Sequence, residues 1–260
     1  MITRNKAIFL IPLFIAIKSF AIFIAALLNG WFGQQQDIVK SSNALIKQPL
    51  NTWISFGFIA VGLSIAWLLM QGKFHQNNNR FTQSNFTAIF FSSLVVLIGP
   101  AAMSFHATLT HIGSELDILS INFIAAFMLA YSMQRFFNWK PLLFAAMFVL
   151  AVILCKLLGD YLHTISFTKH GSYIAFAFLI AVAIIFEMLN LFVKKLLHET
   201  KWFFYAFVSF IPAFIIFLIC KSDNPLCGTQ SLIQGHAVWQ LLTMLSLFFI
   251  FRFYVSEKSR

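Results

Sequence analysis

Four side chains in this sequence have the types and placement for hydrolytic chemistry: His106, Asp117, His236 and Gln240. His106 stands near the end of a long apolar run, in Phe105-His106-Ala107-Thr108-Leu109-Thr110. Asp117 opens the next apolar run, and His236 opens the last, in Gln234-Gly235-His236-Ala237-Val238-Trp239-Gln240. Ionisable groups at membrane depth are expensive, so a cluster of them marks a candidate site. Imidazole nitrogens beside a carboxylate suit zinc, which commonly keeps one position for water. Zinc lowers the pKa of that water towards neutrality. A carboxylate such as Asp117 can then orient the water, act as a base or be a ligand itself. Helical spacing sharpens the set. His236 and Gln240 are four apart and share a face, and His106 and Thr110 are spaced in the same way.

The elements that must position these groups are membrane helices. Of the 260 residues, 60% are hydrophobic and only 10% charged, against about 25% charged in soluble domains. The mean hydropathy is +0.84. Eight runs have the roughly 20 apolar residues needed to span a bilayer. They are Ala7–Trp31, Leu50–Gln71, Phe86–Thr108, Leu116–Phe136, Pro141–Leu158, Ser172–Val193, Trp202–Cys220 and Leu232–Tyr254. The first run extends past Lys18, beyond a typical signal-peptide core, and reads as a retained span. Connections are short, so residues 1–260 read as one transmembrane domain, all-α, a polytopic helical bundle.

Net charge is +10, but the basic residues are scattered over many short loops, which argues against nucleic acid as a partner. Their distribution orients the chain. With the N-terminus inside, Arg4, Lys6, Lys73, Arg80, Arg135, Lys140, Lys194, Lys195, Lys201, Arg252, Lys258 and Arg260 fall on the inner side. Only Lys40, Lys47, Lys156, Lys169 and Lys221 fall outside. The positive-inside rule then places both termini in the cytoplasm. On that topology His106, Asp117, His236 and the pair Gln48 and Asn51 all lie at the extracytoplasmic ends of their spans. Cys220 and Cys227 bracket an outer loop and form a candidate disulfide; Cys155 reads as an inert core thiol.

The segment Gln48-Pro49-Leu50-Asn51-Thr52-Trp53-Ile54-Ser55, the His106 segment with Asp117 eleven residues later, and the His236 segment resemble, in order, three motifs of the alkaline ceramidases and their bacterial relatives. That family belongs to a wider superfamily of seven-helix membrane hydrolases. The resemblance runs from about Gln48 to Tyr254. It implies a seven-helix core over 48–254, with 1–47 as an extra N-terminal span and outer loop. It further implies a zinc-dependent amidase acting on ceramide-like lipids that enter from the bilayer. His106 and His236 match two metal ligands, and Asp117 matches the residue that assists the water. Asn51, Thr110 and Trp239 are further site candidates.

Three positions depart from the family pattern. Gln240 stands where a third metal His is expected, and an amide oxygen is a poorer zinc donor than imidazole. Ala102 stands where a Ser is expected, removing an oxyanion donor worth about 10²-fold in rate. Ser104 cannot replace it, because it lies roughly 200° around the helix from His106. Gln48 stands where an acidic residue of a calcium site is common, so no calcium is expected. Two readings follow: an active amidase, or a relative that binds a lipid or partner without turnover. A transporter is a third, resting on the span count and on Glu187 inside the sixth span. His111 and Glu115 are expected in an outer loop, and Asp160, His163 and His170 in the next. His75 and His198 are expected at the inner surface.

Overall fold

A computed structural model describes residues 2–33, 44–72, 74, 79–165, 171–196, 199–220 and 235–258. These residues are almost entirely helical. The helices are α1 (Ile2–Leu28), α2 (Pro49–Met70), α3 (Arg80–Gln83), α4 (Asn85–Thr108), α5 (His111–Phe137), α6 (Pro141–Ile165), α7 (Gly171–Phe192), α8 (Thr200–Ile219) and α9 (Gly235–Val255). All but the short α3 are long and apolar enough to cross a membrane. The eight expected spans are therefore present. The sequence pattern did not reveal α3.

The chain divides into two compact units. The first is Met1–Asp117 with His198–Ser259, and it holds α1 to α4, the start of α5, and α8 and α9. The second is Ile118–Leu197 with Arg260. It holds the rest of α5, with α6 and α7. Every residue singled out above for hydrolytic chemistry belongs to the first unit.

Within that unit α2 and α4 pack closely, and small residues make the approach possible. A Cβ at Gly62 would stand 2.8 Å from the backbone nitrogen of Val96 and 2.9 Å from the carbonyl oxygen of Ser92. A Cβ at Gly99 would meet the Ile59 side chain at 2.7 Å. The N-terminal helix α1 lies on the same pair. Ala16 joins Ile59 and Val96 in one apolar cluster. Phe23, Ala26 and Phe32 cluster with Met103 and Ala107 of α4, and Ile46 packs on that group. α9 pairs with α8, where the Ser246 hydroxyl donates to the Ala206 carbonyl at 3.0 Å.

The end of α4 is closed unusually well. Helix ends leave carbonyls without intrahelical partners. Here the backbone N–H of Lys47 donates to the Ala107 carbonyl at 2.9 Å, and that of Gln48 to the His106 carbonyl at 3.0 Å. Leu109 adopts left-handed geometry (φ 52°) and its N–H returns to the Phe105 carbonyl. For a residue with a Cβ that conformation costs about 1–2 kcal/mol. It turns the chain so abruptly that α5 begins two residues later, at His111. Thr110 serves as its cap, its hydroxyl accepting from the Gly113 N–H at 3.1 Å.

In the second unit, Arg135 of α5 and Glu187 of α7 form a buried ion pair. The Arg135 guanidinium also lies 4.6 Å from the Tyr131 ring centroid. Nearby, the Asn190 amide donates to the Ser132 carbonyl at 2.9 Å. Glu187 thus has the polar partner that its membrane depth demands.

Candidate metal centre

Three helices bring the polar side chains together. α2 begins at Pro49, a residue favoured at the first helical position because its missing N–H is no loss there. Gln48 immediately precedes it. Asn51 and Ser55 follow at spacings of three and four, so the three polar residues share one face of α2. That face meets α4 at His106 and α9 at Gln240.

His106 is buried, 2% exposed. Its Nδ1 lies 2.7 Å from the side-chain oxygen of Gln48. The same oxygen accepts from the Asn51 amide at 3.0 Å. The His106 Nε2 is buried without a hydrogen-bond partner, and so is the side-chain oxygen of Asn51. The His236 ring is the neighbour, with centroids 4.6 Å apart and planes inclined by 62°.

The remaining candidates divide. Gln240 is buried, and its side-chain oxygen lies 3.2 Å from the Ser55 hydroxyl; the Asn51 carbonyl, at 2.7 Å, competes for that hydroxyl's single proton. Trp239 is buried against Phe217, with ring centroids 5.0 Å apart. Phe217 also lies 6.1 Å from the His236 ring, so this aromatic pair forms a wall beside the imidazole. Asp117 is half-buried, two turns into α5. Thr110 is not on a helical face with His106, because α4 stops at Thr108 and Leu109 breaks the geometry. Its hydroxyl is occupied by Gly113 and by Thr108, 2.9 Å away. The expected i,i+4 relation therefore fails, for a backbone reason invisible in the residue types.

Other placements change as well. His111 and Glu115 lie on the first turns of α5, not in a loop. Asp160 and His163 lie on α6, and Asp160 pairs with Lys156 at 3.0 Å. Ser104 donates to the Pro100 carbonyl at 2.7 Å, so its hydroxyl is spent inside its own helix. Ala102 is buried. Cys220 is disulfide-bonded and Cys155 is a free, buried thiol. Cys227, Gln234, His75, His170 and His198 lie outside the described residues.

Gln48 and Asn51 stand out in the sequence as polar residues at one end of their span, but Ser55, a further residue of the site, does not. The available signal was the polar spacing 48, 51, 55 along one face of an otherwise apolar span.

The side chains suit a metal cation in part. The bare Nε2 of His106, beside the His236 ring, is a donor of the kind zinc takes. Among the described residues, no three His, Cys, Asp or Glu side chains gather as a metal cage. Beyond the two imidazoles, the donors at hand are neutral amide oxygens. No family model and no curated protein matches this chain.

Proposed function

We propose that the chain is a membrane-embedded hydrolase that cleaves the amide bond of ceramide-like lipids, with zinc held by His106 and His236. The observation that carries this reading is the buried, unpartnered Nε2 of His106 beside the His236 ring. Bound zinc supplies Lewis acidity, which polarises a carbonyl and acidifies water. The protein's own groups supply the rest. Gln48 orients His106. By the family resemblance, Asp117 would be the carboxylate that accepts a proton from the attacking water. Gln240, one turn from His236, would offer a neutral oxygen as a further donor. The wall of Trp239 and Phe217 excludes water from one side of His236.

In this reading the core is the seven helices α2 and α4 to α9, and α1 is the additional span. Both termini lie in the cytoplasm and the site faces the extracytoplasmic leaflet, as the loop charges suggest. The lipid substrate enters from the bilayer.

The test is metal analysis of protein purified in detergent without chelators, beside an assay of short-chain ceramide hydrolysis. About one zinc per chain with turnover is the expected result. Absence of both zinc and turnover overturns the proposal.

A second reading is a relative that binds the lipid without hydrolysing it. The contact between Ser55 and Gln240 favours it, because it engages the amide that stands where the family pattern has its third metal His. Ala102, without a hydroxyl, favours it too. Saturable ceramide binding with no release of fatty acid would support this second reading over the first.

A further inference from the structure

Gln48 grips His106 twice. Its backbone N–H donates to the His106 carbonyl at 3.0 Å, and its side-chain oxygen meets the imidazole Nδ1 at 2.7 Å. The direction of the second bond is fixed by a third residue. The Asn51 amide nitrogen can only donate, and it donates to that same Gln48 oxygen at 3.0 Å. The oxygen is therefore an acceptor towards both neighbours. It follows that a neutral His106 carries its proton on Nδ1 and its lone pair on Nε2. That lone pair is the buried atom without a partner, next to His236.

We propose that Gln48 is a positioning residue that locks His106 as the Nδ1–H tautomer, presenting a bare Nε2 to the site. Asn51 is its support, since it holds the Gln48 amide in the accepting orientation. Imidazoles that bind metals commonly donate their other ring N–H to an oxygen in this way, and loss of that oxygen costs about 10- to 100-fold in metal affinity. The inference rests on the proposed role of His106 as the ligand only for its consequence. The tautomer itself does not depend on any metal or reaction.

The experiment is therefore made first on metal-free protein. The full chain, labelled with ¹⁵N-histidine and purified in detergent, is compared by NMR with Gln48→Leu, Gln48→Glu and Asn51→Ala. A His106→Asn sample identifies the His106 signals by their loss. The native chain and Gln48→Glu, whose carboxylate also accepts, should show a protonated Nδ1 and a bare Nε2. Gln48→Leu should lose that preference, and Asn51→Ala should weaken it. A His106 proton on Nε2 in the native chain, or an unchanged tautomer in Gln48→Leu, overturns the proposal. A zinc titration then follows. Gln48→Leu should bind about 10- to 100-fold more weakly than the native chain, with Gln48→Glu close to native. Failure of all variants, including the native chain, to bind zinc would count against the hydrolase while leaving the tautomer result standing. Because Gln48→Glu keeps the acceptor, its native behaviour separates positioning from a general loss of fold.

Discussion

His106 and His236 are 130 positions apart in sequence, yet their rings stand 4.6 Å apart between centroids. The rings meet edge to face, and the buried Nε2 of His106 beside that contact has no hydrogen-bond partner. Replacing either His with Ala should abolish zinc retention and lower ceramide hydrolysis by about 10²-fold or more, since one remaining imidazole cannot hold the ion against water. Metal content of the purified variants, measured beside circular dichroism to show intact helix, checks this. Retention of stoichiometric zinc in both variants would move the metal elsewhere.

Gln240 lies one helical turn from His236 on α9, with Ser55 against it. Replacing it with His adds a third imidazole on the same face. Zinc affinity should rise by about tenfold or more, because imidazole is the better donor. Hydrolysis that appears only in Gln240→His would identify the natural chain as the non-catalytic relative. Hydrolysis present in both would show that two imidazoles suffice. No gain in affinity would mean that position 240 does not face the ion.

The spans and their order were legible because membrane helices advertise themselves through unbroken apolar length, and the few polar residues within them stand out. His106, His236 and Gln48 could be nominated for the same reason. Their partners could not. Whether Gln48 touches His106 depends on how tightly α2 seats on α4, and that is set by glycines whose role is to be absent. Thr110 misled because the left-handed turn at Leu109 has no signature in a leucine. His111 and Glu115 misled because α5 starts with a polar first turn, which hydropathy alone assigns to a loop.

The seating of α2 on α4 should be more sensitive at Gly62 than at Gly99. An added methyl at Gly62 meets backbone atoms of Val96 and Ser92 under 3 Å away, whereas at Gly99 its nearest contact is the Ile59 side chain, with the Ser55 carbonyl at 3.1 Å. Backbone cannot yield as a side chain can. Gly62→Ala should cost about 1–3 kcal/mol, in the range of overpacked cores, and Gly99→Ala less. Thermal unfolding in detergent reads the difference. Equal midpoints for the two variants would contradict this account of the packing.

The pair Arg135 and Glu187 makes a separate prediction for the second unit. Both side chains are almost wholly enclosed, 0% and 2% exposed, so neither charge has water to fall back on. Removing one partner takes from the other its buried counter-charge, at a cost of about 3–5 kcal/mol. Arg135→Met and Glu187→Leu should each unfold at markedly lower temperature. The double variant leaves neither charge and should recover most of that loss, since a buried ion pair and an apolar pair of similar volume are often close in stability. If the two single effects simply add in the double variant, the pair is not coupled. The ion pair would then contribute no more than two separate side chains would, and the account of Glu187 as the partner of Arg135 would fail with it.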